Sequence, residues 1–148
     1  MYGVGKLPER IKSKETISKI YSCGKTIISS DKRVKAIYYS THNLSQPLIK
    51  YAVAISSKSG NSVWRNRFKR LVRESVISEF EIIKEIVLML RVNLEIIFSP
   101  ALISQQSKKK IFLEDIQPAV SDIFASLKKI HVSDKNKLSK NDKINPKF

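Results

Sequence analysis

The segment SVWRNRFKRLVRE, residues 62–74, constrains the fold more than any other part of the sequence. At 3.6 residues per turn, its large apolar side chains gather on one side of a helix. Together with the next small residue on that side, this stripe consists of Trp64, Phe68, Leu71, Val72 and Ser75. Such a stripe must be buried against a second layer of structure. We therefore predict a long amphipathic helix that begins after Gly60-Asn61 and packs on a sheet or on other helices.

The rest of this helix surface is cationic. Five basic residues lie between positions 65 and 73, before Glu74 supplies the first acid. Arg65, Lys69 and Arg73 repeat at i, i+4 and i+8, and like charges at this spacing destabilise a helix by about 0.2 to 0.5 kcal/mol per pair. A merely solvated helix would interleave acids and bases. The pattern therefore indicates that the neutralising charge comes from another molecule.

The charge of the whole chain points the same way. Its 148 residues include 28 Lys and Arg against 13 Asp and Glu, which leaves a net charge of +15. Nucleic acid, an anionic membrane surface and an acidic protein are all partners that this excess favours. The apolar run IVLML, residues 86–90, is far shorter than the roughly 18 residues that span a bilayer, so we expect no transmembrane helix.

Two features favour a cytoplasmic location. The N-terminal residues MYGVGKLPERIKSK lack the apolar block of a secretory signal. The single cysteine, Cys23, cannot form an internal disulfide, which fits a reducing compartment. We therefore expect the chain to remain in the compartment where it is made.

The other elements are predicted from composition and spacing. Ile17, Ile20 and Tyr21 recur at helical spacing in a first helix, which Gly24 is placed to end as a C′ residue. β-Branched and aromatic residues predict strands at 34–40 and 48–56, most simply as an antiparallel pair, with a short edge strand at 25–28. A strand at 92–101 is expected to stop at Pro100. Residues 81–91 either continue the basic helix or form a second one.

Helical spacing returns at residues 112–127, where Pro118 must lie in the first turn or mark a kink. Residues 1–13 are interpreted as a flexible basic N-terminus, 14–130 as a single domain, and 131–148 as a disordered basic tail. The predicted order is α-β-β-β-α-β-α. This order favours the α+β class, as a compact two-layer sandwich with helices stacked on one sheet.

The sequence offers little for chemistry of its own. His42 and His131 are its only histidines, and with one cysteine they give poor support to a catalytic or zinc site. The acidic residues are scattered, so a paired-carboxylate metal site is not favoured. Neither a GxxxxGK[ST] loop nor a GxGxxG motif is present. We predict no catalytic residue and no metal ligand in this chain.

Residues 53–74, VAISSKSGNSVWRNRFKRLVRE, resemble the signature of the bacterial ribonuclease P protein subunit. That signature is a strand, a Gly-Asn turn, and then Arg-Asn-x-x-Lys-Arg-x-x-Arg on a helix. The positions that match it are Gly60-Asn61, Arg65-Asn66, Lys69-Arg70 and Arg73. Outside this segment the likeness extends over residues 7 to 130 in the order of elements, with weak residue identity.

The resemblance implies a ribosomal protein S5 domain 2-like fold and an RNA enzyme as partner. In bacterial ribonuclease P, an RNA with bound Mg²⁺ hydrolyses precursor tRNA to free its mature 5′ end, and no further protein is required. The resemblance implies an RNA-facing set of Arg65, Asn66, Arg67, Lys69, Arg70, Arg73 and Lys58. It also implies a cleft for the single-stranded 5′ leader, formed by Ile17, Tyr21 and Tyr39, or Tyr38 if the strand register differs.

General chemistry supports such a cleft independently of the resemblance. Stacking of a base on an aromatic ring contributes about 1 to 3 kcal/mol of binding free energy per base of single-stranded RNA. The sequence departs from the family pattern at three places. Ile17 stands where Phe is common, Ser57 precedes Lys58 where two lysines are frequent, and Phe98-Ser99 precedes Pro100 where basic residues are frequent. All three departures concern the leader contacts rather than the fold.

Two other readings remain open at this point. A ribosomal protein or a ribosome-assembly factor could use the same basic helix on folded RNA without turnover, and composition does not separate these roles. A peripheral membrane protein is less favoured, because the apolar stripe of the basic helix is needed for the core.

Overall fold

The computed structural model describes residues 8–42 and 48–144, with side chains as far as residue 131. Its elements in chain order are β1 (Glu9–Arg10), α1 (Lys14–Cys23), β2 (Lys25–Ile28), β3 (Val34–His42), β4 (Ile49–Val53), a 3₁₀ turn (Ser57–Ser59), α2 (Ser62–Ser78), α3 (Phe80–Leu90), β5 (Val92–Pro100) and α4 (Leu113–Ile144). The α+β class and the predicted succession of main elements are confirmed. One five-stranded sheet carries the helices, with strand order β1-β4-β5-β3-β2.

The predicted antiparallel pairing of the strands at 34–40 and 48–56, which are β3 and β4, is wrong. β5 lies between them, antiparallel to β3 and parallel to β4. The connection length allowed a hairpin, but β5 is the most apolar strand, and Ile96, Ile97 and Phe98 are each at most 1% exposed. A strand buried on both faces gains most at the centre of the sheet, where both of its edges are paired. α2 and α3 provide the crossover that brings it there.

The sheet is covered on both faces, because its central strands carry apolar side chains on both of them. Ala36 and Tyr38 belong to the large core, which β3, β4 and β5 form with α2, α3 and α4. Ile37 and Tyr39 point the other way, into a small cluster around Ile20 of α1. The stripe predicted for the basic helix is confirmed, since all five of its residues are buried on the side of α2 that faces the large core.

Gly24 ends α1 as predicted, but not through a left-handed backbone. Its φ is −78° and its ψ is 166°, which any residue can adopt. A Cβ at this position would lie 2.4 Å from the Ile20 carbonyl oxygen and 2.8 Å from that of Tyr38. The glycine is therefore required because α1 and β3 approach each other closely here.

Regular structure is present toward both ends of the described part of the chain. Within the stretch expected to be flexible, β1 pairs with β4 in parallel, and Ile11 is buried against α1 and the sheet. At the other end α4 continues to Ile144, whereas a disordered tail is predicted from His131. His131 Nδ1 donates to the Leu127 carbonyl (2.8 Å), and its Nε2 lies 3.2 Å from Ser40 Oγ. These contacts hold α4 on β3 at the point where the tail was expected to begin.

Two details of the helices were left open by the sequence. The helix is interrupted at Glu79, so α3 is a separate helix rather than a continuation of α2. Pro118 lies in the second turn of α4, not the first. Residues 1–7, 43–47 and 145–148, which belong to the predicted N-terminus, turn and tail, lie outside the described residues. Among the helices that are described, none has the length and apolar character needed to cross a membrane.

Candidate nucleic-acid interface

The start of α2 is fixed by the Gly60-Asn61 turn. Asn61 is the N-cap, and its side-chain oxygen accepts the N–H of Trp64 at 2.9 Å. Its own N–H donates to the side-chain oxygen of Gln105, at 2.8 Å. A Cβ on Gly60 would lie 2.9 Å from the Cβ of Gln105, so a larger residue would push this loop away. A capped and closely packed start sets where the basic helix begins.

The buried stripe fixes the rotation of α2 about its axis. Trp64 and Phe68 are 2% and 0% exposed, and their rings stack with centroids 5.8 Å apart. Trp64 Nε1 donates to the Lys108 carbonyl at 3.0 Å. The buried hydroxyl of Ser75 donates to the Leu71 carbonyl within the helix, so it leaves no unmet donor in the core. The opposite, cationic side of α2 therefore faces outward.

The predicted RNA-facing residues lie together on this side, which we call the α2 face. Asn66 and Arg70 are exposed, Arg65, Arg67, Lys69 and Arg73 are half-buried, and Lys58 is exposed in the 3₁₀ turn before the helix. In the described parts of the chain, none of these cations forms an ion pair with a carboxylate. The charge of the α2 face is thus not neutralised by the described protein.

Two arginines of the α2 face have interactions that helical spacing could not reveal. Arg67 Nε donates to the Ile111 carbonyl, and its guanidinium lies 5.5 Å from the centroid of the Phe112 ring. Part of this side chain therefore holds the segment before α4. Arg65 Nε is buried and finds no hydrogen-bond partner among the described residues.

A buried carboxylate, that of Asp115, joins the loop between β5 and α4 to the start of α4 and to the turn before β3. Asp115 is 6% exposed and pairs with Lys108 at 2.9 Å and with Arg33 at 3.4 Å. It also accepts the N–H of Phe112 at 2.8 Å. Burial acts to raise the pKa of Asp115, but the hydrogen bonds from Lys108 and Phe112, with the two positive charges, lower it below the ordinary value. Asp115 is therefore ionised and joins three segments.

The predicted leader residues lie on the opposite face of the sheet, between α1 and the strands. Tyr39 is the tyrosine of β3 that faces this cleft, and the Nζ of Lys19 lies 4.8 Å from its ring centroid. Tyr38 points into the large core and is 5% exposed, so the register is resolved in favour of Tyr39. Tyr21 is 51% exposed, whereas Ile17 packs partly buried in the small cluster. Ile17 and Tyr39 thus both pack against the small cluster, and Tyr21 is the most exposed of the three.

The strand pairings add charged residues that sequence reasoning missed. Lys50 and Tyr39 both pair with Glu95, from opposite sides of β5, so these three side chains form a row on the cleft face. Arg10 and Lys12 join Lys50 in lining a depression beside the start of α1. No sequence pattern could have found this group, because it depends on the pairing of β1 with β4.

The described residues contain no group of three or more His, Cys, Asp or Glu side chains that could hold a metal ion. The α2 face carries cations and the amide of Asn66, groups of the kinds that can contact phosphate. The cleft carries aromatic rings, on which unpaired bases can stack, beside cations that can follow a phosphate backbone.

Comparison with known proteins finds similarity to ribonuclease P proteins. The family model described as Ribonuclease P matches residues 6–114. The ribonuclease P protein component of Macrococcus caseolyticus is 38% identical over 77 residues, which cover 51% of this chain and 64% of that protein. That of Bacillus velezensis is 31% identical over 75 residues, covering 51% and 61%. The aligned part thus spans less than two thirds of these curated relatives.

The fold is also found in solved structures. The ribonuclease P protein of Thermotoga maritima superposes with a TM-score of 0.58 at 16% identity, covering 78% of this chain and 94% of that one. That of Staphylococcus aureus gives 0.57 at 22% identity, covering 84% and 92%. The family model spans most of the chain and both of these structures share its fold. The chain belongs to the ribonuclease P family of proteins.

Proposed function

We propose that this protein is the protein subunit of a bacterial ribonuclease P, acting on precursor tRNA in the cytoplasm. In this proposal the α2 face binds the catalytic RNA, and the cleft under α1 binds the 5′ leader. The observation that carries the proposal is the α2 face itself, whose charge is held outward by a buried stripe and is not neutralised by the described protein. The family membership supports it.

The α2 face suits a large, folded polyanion. Each cation that contacts a phosphate releases condensed counterions, so affinity comes largely from salt-dependent contacts that do not depend on sequence. Asn66 can donate to phosphate or sugar oxygens between the cations. Because α2 is capped at Asn61 and locked by Trp64 and Phe68, these groups are positioned before the RNA binds.

The cleft suits a short single strand. Tyr21 presents a half-exposed ring, and Tyr39 lies deeper with one side near Lys19. Arg10, Lys12 and Lys50 lie beside the cleft, where they can follow a phosphate backbone. Ile17 provides apolar contact but no stacking, so we assign base stacking to the two tyrosines.

This protein contributes binding and orientation rather than reacting groups. In the proposed holoenzyme, Mg²⁺ held mainly by the RNA supplies the metal chemistry of phosphodiester hydrolysis. No described cluster of this chain is suited to bind it. The cations of the α2 face reduce the repulsion between catalytic RNA and substrate, and the cleft orients the leader. No further protein is needed for either task.

Reconstitution tests the proposal. The purified protein alone should not cleave precursor tRNA, and adding the cognate catalytic RNA with Mg²⁺ should give cleavage at the mature 5′ end at modest salt. Efficient cleavage by the protein alone would contradict the assignment of chemistry to the RNA. Purification from cells should yield one stoichiometric RNA of the catalytic type, whereas recovery on ribosomal subunits would favour a ribosomal role instead.

A further inference from the structure

The loop between β5 and α4 carries three consecutive lysines, Lys108, Lys109 and Lys110, that the ribonuclease P signature does not include. The loop is not a loose connection. Gln105 N–H donates to the Ser59 carbonyl at 2.7 Å, which joins it to the 3₁₀ turn before α2. Further contacts through Trp64, Arg67 and Asn61, described above, hold it against the first turns of the helix. The lysines therefore have a defined place beside α2.

The three lysines have different roles. Lys108 is paired with the buried carboxylate of Asp115, so it serves the fold. Lys109 and Lys110 are exposed, and neither forms an ion pair with a carboxylate in the part of the chain that the structure describes. The protein holds their backbone in place but leaves both charges for solvent or a partner.

Lys109 and Lys110 continue the cationic surface of α2. Lys109 lines the same depression as Lys58, on the outer side of Gly60 and Gln105. Lys110 directly precedes Ile111, whose carbonyl accepts a hydrogen bond from Arg67. A polyanion that lies along the α2 face would meet both lysines without a change in the loop.

We propose that Lys109 and Lys110 bind backbone phosphates of the catalytic RNA and extend its interface from α2 onto this loop; this inference rests on the proposed function. The catalytic RNA is favoured over the leader by position. The loop adjoins the turn that follows the end of β4, on the side of α2 and α4. Tyr39 lies on the other face, in the row that includes Lys50 near the start of β4. The lysine loop and the leader cleft therefore lie on different faces of the sheet.

The test is the double variant Lys109→Ala/Lys110→Ala in the full chain. Its control is Lys128→Ala/Lys129→Ala. These exposed lysines carry the same charge but lie on α4, about 22 Å or more from the start of that helix. Binding to the catalytic RNA alone, and to a leader oligonucleotide alone, is measured from about 50 to 400 mM salt. The loop contacts use backbone groups of residues 105, 108 and 111 and the side chain of Gln105, none of which the variant changes, so it should unfold at the same temperature as the parent.

A plot of log affinity for the catalytic RNA against log salt concentration has a negative slope. Two lost phosphate contacts should make that slope shallower by about 1.4 to 1.8, and should weaken affinity near 0.1 M salt by about 25- to 60-fold. The control should stay near the parent, and leader binding should not change. A slope equal to that of the control would overturn the inference, as would a loss confined to the leader oligonucleotide. Either result leaves the proposed function intact if the parent protein still restores cleavage, so the two claims fail separately.

Discussion

The α2 face and the cleft under α1 lie on opposite sides of one sheet and differ in how their charge is arranged. The α2 face carries cations without a described carboxylate partner, on a helix fixed by a buried stripe and a cap. In the cleft, Glu95 lies between Tyr39 and Lys50 and offsets part of the positive charge. Unbalanced, rigidly held charge suits a permanent RNA partner. A site of mixed charge with partly exposed rings suits a substrate that must leave after each turnover.

The packing beneath the two regions should differ most. Phe68→Ala removes a ring that is 0% exposed in the large core, and we expect it to lower the free energy of unfolding by about 3 to 5 kcal/mol. Ile17→Ala, in the small cluster under α1, should cost only about 1 to 2 kcal/mol, because that side chain is already partly exposed. Urea unfolding of both variants measures this difference. Equal losses would show that the small cluster supports the fold as strongly as the large core.

Charge removal should separate the regions next. Lys69→Gln/Arg73→Gln should weaken binding of the catalytic RNA by about 25- to 60-fold near 0.1 M salt, through two lost phosphate contacts. Leader binding should remain within about twofold of the parent, as judged by titration of a labelled oligonucleotide, because these side chains do not face the cleft. Lys128→Gln/Lys129→Gln is the matched control. Comparable losses for both ligands would mean that the two faces do not act separately.

The reverse experiment targets the cleft. Tyr39→Leu should weaken leader binding by about fivefold, near 1 kcal/mol, since the ring is half-buried and has Lys19 close to one side. Tyr39→Phe keeps the ring and should bind the leader like the parent. Affinity for the catalytic RNA should not change in either variant. If the Leu variant binds the leader normally, Tyr39 is a packing residue only.

The smallest effect concerns the loop beside α2. Asp115 has a pKa lowered below its ordinary value of 3.8, so its ionised form stabilises the fold above that value. This contribution is present near neutral pH and is lost as the pH falls below about 4, and because Lys108 and Arg33 are partly exposed it should amount to about 1 kcal/mol at most. The difference in unfolding free energy between the parent and Asp115→Asn should therefore shrink between about pH 6 and pH 3. A constant difference would mean that Asp115 acts through hydrogen bonds alone.

Periodicity predicted much of the fold and one of the two faces. The stripe of α2 and its cationic side follow from the helical repeat, because both depend only on residues close in sequence. The pairing of strands does not, since β5 enters between β3 and β4 from a distant part of the chain. The same limit explains why Arg10 and Lys50 were missed. They meet only through the pairing of β1 with β4.

The register of the tyrosines shows a finer limit. Alternation along β3 guarantees that Tyr38 and Tyr39 face opposite sides, but both lie in an apolar run, so the sequence alone does not say which side holds α1. The ring position of Tyr39 beside Lys19 decides it. In the same way, the carbonyl contact of Arg67 depends on a loop more than forty residues away in sequence.

Site-directed cleavage tests the central claim most directly. With the exposed Cys23 replaced by Ser, a single cysteine is introduced as Asn66→Cys on the α2 face or as Tyr21→Cys beside the cleft, and an iron chelate is attached to it. In the assembled complex, the probe at position 66 should cut the catalytic RNA, and the probe at position 21 should cut the leader of precursor tRNA. Absence of cuts in the catalytic RNA from position 66, in a complex that still processes its substrate, would contradict the account.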